Sequence, residues 1–205
     1  MNHSTDDEVL QLLRLARQGD KEALGSLFQL YGGYLTLLAR LQLDGRLAGK
    51  VDAADIAQET FLQAHRTFGQ FRGTSEGELV QWLRQIMVSR LAKQVRRYQE
   101  TERRNVGLER ALGAEVDRSS LVLDAALVAA ESSPSQKASR REQSVLLADA
   151  LERLSADHRE VIILHHLQGL TFAQTAERMQ RSLGAVEKLW VRSLVSLRRQ
   201  LGGAA

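Results

Sequence analysis

The last third of the chain carries the pattern that most restricts how the protein can fold. Residues 170–201 read LTFAQTAERMQRSLGAVEKLWVRSLVSLRRQL. Thr171 followed by Gln174 is a capping-box signature, which predicts the start of a short helix. The polar run 180–182 (QRS) interrupts that helix, and Ser182 is a favourable N-cap for a second one. The stretch therefore predicts two short helices joined by a tight turn.

The second of these helices is expected to have two different faces. Apolar residues recur along it at steps of three or four, which predicts one buried stripe: Val186, Trp190, Leu194, Leu197 and Leu201. The opposite face is small, polar or basic: Arg181, Ser182, Gly184, Ala185, Glu187, Lys188 and Arg192. Such a face suits a groove lined by phosphates and base edges, as in a DNA-binding helix-turn-helix. An ordinary pair of bundle helices is the alternative that this pattern leaves open.

Composition sets the fold class. With 205 residues, 43% of them hydrophobic, a single proline and no strand-like alternation, the chain is expected to be all-α. No apolar run approaches the roughly 18 residues that span a bilayer, and the polar, acidic N-terminus differs from a signal peptide, so no membrane insertion is expected. The absence of cysteine excludes disulfides and thiolate metal sites, and agrees with a cytoplasmic protein.

Apolar spacing divides the chain into two small helical domains, residues 1–98 and 144–205, joined by a linker at 99–143. The linker segment has no aromatic residue, is dense in charge and contains SSPSQ at 132–136. It is therefore expected to be flexible, apart from a short helix around 121–130. The second domain is predicted to be a four-helix module that ends in the helix-turn-helix.

Charge is distributed unevenly within the first domain. Residues 52–62 contain no Lys or Arg, whereas residues 63–97 contain seven Lys or Arg and two acidic residues. An acidic segment beside a basic one indicates two partners, a positively charged protein surface and nucleic acid. The basic part combines a glycine-rich loop at 69–77 with a helix at 78–98. Phe68 and Trp82 are expected in the core, whereas Phe71, inside the loop, could lie in the core or at the surface.

Two segments resemble a known family. DAADIAQETFLQAHRTFGQFRG (52–73), followed by Trp82-Leu83 and the basic helix, resembles the second conserved region of bacterial RNA polymerase sigma factors. LERLSADHREVIILHHLQGLTFAQTAERMQRSLGAVEKLWVRSLVSLRRQL (151–201) resembles their fourth region. Two such regions in this order, with only a linker between them, resemble the extracytoplasmic-function (ECF) group. SSPSQ and EKLWVRSL resemble variants from planctomycete-like bacteria.

The resemblance implies a function and a set of binding residues. It implies a sigma factor that binds core RNA polymerase through the clamp helices of the largest subunit and the flap, and directs promoter-specific initiation. The residues implied to contact the clamp helices are Asp55, Gln58, Glu59 and Leu62. Those implied to recognise and open the −10 promoter element are Phe71, Arg72, Arg84, Arg90, Lys93, Arg96 and Arg97. The polar face of residues 181–192 would read the −35 element, and an anti-sigma partner is expected.

The sequence departs from the family pattern at several positions. Glu187 stands where Lys or Arg is usual, which removes a cation but supplies a carboxylate that can accept from cytosine N4. Altered promoter preference is therefore expected. Ser89 replaces a usual asparagine and Lys93 a frequent aspartate, and both substitutions bear on promoter opening.

No enzymatic activity, metal or cofactor is expected. His165 and His166 are adjacent and so face different sides of a helix, unlike the i, i+4 pair of a helical metal site. The chain has no phosphate-binding glycine loop. A helix-turn-helix regulator that acts without polymerase is the alternative function, and an adaptor that has lost DNA binding is a third.

Overall fold

The computed structural model describes residues 3–43, 51–98, 106–126 and 136–202. These ranges consist of helices joined by short turns and loops and contain no strand, so the predicted all-α class is confirmed. The helices are α1 (His3–Arg17), α2 (Lys21–Leu30), α3 (Gly32–Leu43), α4 (Ala53–Thr67), α5 (Glu76–Tyr98), α6 (Val106–Ala126), α7 (Gln136–Glu152), α8 (Ala156–Ile162), α9 (Phe172–Arg178) and α10 (Leu183–Gly202). A 3₁₀ turn, Phe68–Gln70, follows α4, and a π-helical turn, Ile163–Leu167, continues α8.

Helix α3 lies at the centre of the fold. Its sequence, GGYLTLLARLQL, is apolar on nearly every side, and a helix of this kind must be covered all round. Helices α4, α5, α6 and α7 pack around it. Its buried side chains include Tyr34, Leu35, Leu37, Leu38 and Leu43. Ile56 on α4 and Leu83 on α5 are fully buried in the same core.

The expectation of a flexible linker is wrong for residues 106–126, which form α6. Leu108, Leu112 and Val116 recur every four residues and make an apolar stripe, and Leu112 and Val116 are fully buried. The helix packs along α3 and α5. Polar contacts add to this packing, since the hydroxyls of Tyr34 and Ser120 lie 2.9 Å apart. Most of the SSPSQ stretch, residues 132–135, lies outside the described residues.

Helix α7 joins the second domain to the first. Its Glu152 forms an ion pair with Arg40 of α3 (Nη1 to Oε1, 3.1 Å) and accepts from Arg159 of α8 (2.9 Å). The two helices approach closely at Gly33, where an added Cβ would clash with the carboxylate of Asp149. Burial at this contact raises the pKa of Asp149. The described parts of the two domains therefore share one continuous apolar core.

The adjacent histidines serve the packing of the second domain. The His165 ring stacks on Phe172 with ring centres 3.9 Å apart, and its Nδ1–H donates to the Leu170 carbonyl at 2.7 Å. Trp190 of α10 meets the His165 ring edge-on at 4.8 Å. In the described part of the chain, no three His, Cys, Asp or Glu side chains cluster as a metal site. None of the described helices is long and apolar enough to cross a membrane.

The burial of α6 leads to a stability prediction. Leu112→Ala should lower the free energy of unfolding by about 2–5 kcal/mol, because it removes a fully buried aliphatic side chain between α6 and the first domain. Arg110→Ala, at an exposed position of the same helix, should change it by less than about 0.5 kcal/mol. Urea unfolding followed by circular dichroism measures both. Equal, small effects for the two variants would mean that α6 is not packed in solution.

Candidate nucleic-acid interface

The predicted helix-turn-helix is formed by α9, residues 179–182 and α10. The capping box is present: the Thr171 hydroxyl accepts from the Gln174 backbone N–H (3.2 Å), and the Gln174 side chain accepts from the Thr171 N–H (2.9 Å). Gln180 takes a left-handed backbone conformation (φ +53°) that turns the chain between the helices. Buried Ala176 and Val186 belong to the core that fixes α9 and α10. Local sequence signals thus set the start and the turn of this motif.

The polar face of α10 is open to solvent. All seven residues predicted for it are exposed: Arg181, Ser182, Gly184, Ala185, Glu187, Lys188 and Arg192. Arg181 is held by an ion pair with Asp157 at the start of α8 (2.6 Å). Within the described residues the other two cations, Lys188 and Arg192, have no carboxylate partner. The face therefore offers the donors that a phosphate backbone requires.

The predicted apolar stripe of α10 is buried only in part. Val186 is fully buried and Trp190 half-buried, but Leu194 is 43% exposed and Leu201 is also exposed. Ser193 takes the buried position instead, and its hydroxyl donates to the Leu189 carbonyl (2.7 Å). The buried side of α10 continues through Ser193 to the half-buried Leu197, so Leu194, one position further round the helix, is left exposed.

One exposed residue of the α10 face is absent from the predicted set. Val191 is 61% exposed and lies four residues after Glu187 and three after Lys188, on the same side of the helix. An aliphatic side chain there can contact a thymine methyl group in the major groove. The spacing of four residues between Glu187 and Val191 indicates that they share a face, but an aliphatic residue such as Val191 is normally assigned to the core.

An aromatic cluster fixes the loop between α4 and α5. Phe68, Phe71 and Trp82 contact one another with ring centres 5.0–6.2 Å apart, and Phe28 meets Phe68 edge-on at 6.4 Å. Phe71 is 7% exposed. The Phe71 ring fills the core beneath the loop, and its predicted contact with DNA stays a prediction. Phe68 is buried and Trp82 half-buried in this cluster.

The cations of α5 fall into two groups. Arg84 faces α6 and lies 3.8 Å from Asp117, and Arg96 donates to Glu109 of α6 at 3.1 Å. These two are half-buried and paired with carboxylates of α6, and their predicted contact with DNA stays a prediction. Lys93 and Arg97 are exposed, and so is Arg72 in the loop, whose Nη1 donates to the Gly69 carbonyl (2.7 Å). Arg90 is half-buried beside a cavity.

This α4–α5 cavity has a volume of about 310 Å³ and is lined by Gln63, Thr67, Gln70, Trp82, Gln85, Ile86, Ser89 and Arg90. On α5 the lining residues follow a spacing of three and four, so they form one face that continues to Lys93. The Nε of Arg90 is buried and has no hydrogen-bond partner among the described residues. A buried donor of this kind is costly unless a ligand or water satisfies it. The cavity therefore combines three amides, a hydroxyl pair and an unsatisfied cationic donor.

Glu78 holds the loop in front of this cavity. Its carboxylate accepts from the backbone N–H groups of Thr74 (2.8 Å) and Ser75 (3.1 Å) and from the Ser75 hydroxyl (2.9 Å). These hydrogen bonds, led by that from the Thr74 backbone, lower the pKa of Glu78. The loop thus depends on an ionised carboxylate at the start of α5.

The acidic face of α4 is largely exposed. Asp55 and Gln58 point to solvent, and Leu62 is 54% exposed. Glu59 is half-buried and accepts from the Gln94 side chain of α5 at 3.3 Å. Beside Leu62 lies an apolar groove of about 420 Å³, whose lining includes Phe28, Thr36, Ala57 and Phe61. An exposed leucine next to carboxylates and an apolar groove suits a protein interface.

Comparison with known proteins agrees with these features. Residues 144–197 match the family model described as Sigma-70, region 4. The chain is 29% identical to the ECF RNA polymerase sigma factor BldN of Streptomyces coelicolor, over 97% of this chain and 67% of that protein. It is 27% identical to the ECF RNA polymerase sigma factor SigM of Mycobacterium tuberculosis, over 98% of this chain and 87% of SigM. Residues 144–197 thus match sigma region 4, and the chain as a whole is similar to ECF RNA polymerase sigma factors.

The chain also matches a solved structure, that of the RsbN–BldN complex. The identity is 25%, covering 91% of this chain and 97% of that one, with a TM-score of 0.31.

The hydrogen bonds of Glu78 lead to a prediction about how stability depends on pH. A carboxyl whose folded pKa lies below its unfolded value of about 4.3 stabilises the protein above that value, and the effect disappears as the pH falls through the folded pKa. Glu78→Gln should therefore lower the unfolding temperature at pH 7, and the difference from the unsubstituted protein should shrink as the pH falls below about 4.3. Thermal unfolding between pH 3 and pH 7 measures it. A difference that is independent of pH would contradict the ionised loop anchor.

Proposed function

We propose that this ECF sigma factor reads its promoter at two places and binds core polymerase through α4. The second domain would read the −35 element with α10, and the first domain would open the −10 element with α5 and the preceding loop. Core polymerase would supply the catalytic activity, and the sigma factor its specificity, in the cytoplasm. The observation that carries the proposal is the exposed face of Asp55, Gln58 and Leu62, since a regulator that needed only DNA would have no use for it.

The contact with polymerase would centre on Leu62. Its side chain and the neighbouring groove supply apolar area, and the carboxylate of Asp55 at the rim favours a basic partner such as the clamp helices of the largest subunit. Glu59 would act from a half-buried position, where Gln94 orients its carboxylate. The flap is the expected contact of the second domain, and an anti-sigma partner would compete for the same surfaces.

Opening of the −10 element would use the α4–α5 cavity. A base that leaves the stack needs a pocket with hydrogen-bonding groups, and cations must hold the phosphates of its strand. Gln63, Gln85 and Ser89 supply polar groups in the cavity, and Arg90 offers its unsatisfied Nε. Lys93, Arg97 and Arg72 are the exposed cations around it. Arg84 and Arg96, which pair with α6, would shape α5 rather than contact the strand.

Reading of the −35 element would use the exposed face of α10. Ser182, Gly184 and Ala185 lie at the N-terminal end of the helix, where small residues allow close approach to base edges and phosphates. Lys188 and Arg192 would bind phosphates, and Arg181 would do so from its ion pair with Asp157. Glu187 can accept from cytosine N4, and Val191 can contact a thymine methyl group.

A substitution on α4 tests the polymerase contact. Asp55→Lys combined with Leu62→Ala should weaken binding to core polymerase at least about tenfold, because it reverses a rim charge and removes the apolar anchor. Both positions are exposed, so the fold should be retained. Glu8→Lys, an exposed charge reversal on α1, serves as the matched control. Fluorescence anisotropy of the labelled sigma factor, titrated with core polymerase, measures the affinity of the double variant, the control and the unsubstituted protein.

Equal affinity for the double variant and the control would contradict the proposal. It would favour a helix-turn-helix regulator that acts without polymerase. Binding of both variants to the isolated duplex should be the same in either case, which separates the polymerase contact from DNA recognition.

A further inference from the structure

A second cavity lies on the other side of the 3₁₀ turn from the α4–α5 cavity. It has a volume of about 580 Å³ and opens between the α1–α2 turn and the loop that follows α4. Leu24, Phe68 and Phe71 form its apolar floor. Its polar lining includes Arg17, Lys21, His65 and Arg72. We call it the α1–α4 cavity. It shares no lining residue with the α4–α5 cavity.

Three of its lining residues are cations, and backbone carbonyls hold two of them in place. The Arg17 guanidinium donates to the Gly73 carbonyl and lies 5.9 Å from the centre of the Phe71 ring. Arg72 donates from Nη1 to the Gly69 carbonyl. A guanidinium carries five N–H donors, so each keeps most of its donors for a ligand. Lys21 is the exposed first residue of α2.

Within the described residues, none of these three cations forms an ion pair with a carboxylate. Asp20 is the one acidic residue of the lining, and its Oδ1 accepts from the backbone N–H groups of Glu22 (2.9 Å) and Ala23 (3.0 Å) to cap α2. The acid is thus directed into the helix terminus, whereas the cations surround the cavity. This arrangement favours an anion with several acceptor oxygens, such as a phosphate.

The position of the cavity indicates where such a phosphate would come from. The 3₁₀ turn separates the two cavities: Phe68 and Gly69 line the α1–α4 cavity, and Gln70 lines the α4–α5 cavity. The wall between them is one aromatic contact thick, since Phe71 and Trp82 have ring centres 5.0 Å apart. A single strand that places a base in one cavity therefore passes close to the other. A groove of cations above an apolar floor is the usual form of a single-strand path.

We propose that Arg17, Lys21 and Arg72 bind a backbone phosphate of the displaced promoter strand, next to the nucleotide whose base enters the α4–α5 cavity. The inference rests on the proposed function, because it assumes that the strand follows this loop. It adds α1 and α2, which that function did not use, to the DNA-binding surface. The site recognises a phosphate and reads no base.

Lys21 allows the cleanest test, since it is exposed, lies at a helix start and has no role in the proposed function. The probe is a single-stranded oligonucleotide that carries the −10 sequence, bound to the holoenzyme and followed by anisotropy. Lys21→Ala should weaken binding about three- to tenfold and reduce the salt dependence by about 0.7 in the slope of log K against log salt. Arg14→Ala, an exposed cation on α1 outside the cavity, is the matched control and should change the affinity less than twofold.

A second series identifies the phosphate. Single methylphosphonates, which are neutral, are placed along the oligonucleotide one position at a time. One position should weaken binding to the unsubstituted protein and have no further effect on Lys21→Ala, because the two changes remove the same contact. Inorganic phosphate, titrated at constant ionic strength, tests for a site that takes free anions. Competition by millimolar phosphate with no coupled methylphosphonate position would overturn the assignment to the strand.

The outcomes separate this inference from the proposed function. If the holoenzyme does not bind the −10 strand at all, the proposed function fails. If it binds the strand but Lys21→Ala equals Arg14→Ala, only the phosphate site is overturned. Unfolding curves of both variants, expected to match the unsubstituted protein, show that neither effect reflects loss of fold.

Discussion

The aromatic contacts between α4, the following loop and α5 are the constraint on which the rest of the first domain depends. Phe68 lies between Phe28 of α2 and Trp82 of α5, and Phe71 closes the cluster from the loop. Because these rings pack edge-on and tilted rather than in one stack, they fix the direction of the loop as well as its distance from α5. The cluster also forms the wall between two cavities, so the same contacts that stabilise the domain shape its binding surfaces.

Helix α6 decides which cations remain available to a ligand. Its Asp117 and Glu109 neutralise Arg84 and Arg96, and its aliphatic stripe covers α3 and α5. On α5, the cations without a carboxylate partner among the described residues are Arg90, Lys93 and Arg97, which share one face of the helix. Surface ion pairs of this kind add little stability. Their effect is on the position of the unpaired positive charge. A strand bound through its phosphates would follow the cations that remain unpaired.

Local signals in the sequence predicted the local parts of the structure. The capping box at Thr171, the turn before α10 and the exposed polar face follow from residues within one helical turn of each other, and all are present. The burial of Phe71 does not follow from local signals, because it depends on contact with Trp82, eleven residues further along the chain. The sequence did not predict α6, because its apolar residues at a spacing of four (Leu108, Leu112 and Val116) lie in a segment dense in charge. The partners of Arg84 and Arg96 belong to that same segment, so their neutralisation was missed with it.

The central claim is that one chain reads two promoter elements through separate surfaces. Run-off transcription with core polymerase on a genomic promoter pool, with sequencing of the start sites, tests it most directly. We expect defined start sites that depend on the presence of the chain. Glu187→Lys should change the preferred upstream element and leave the downstream element unchanged. Start sites that are the same with and without the chain, or an upstream preference that Glu187→Lys and Lys188→Ala both leave untouched, would contradict it.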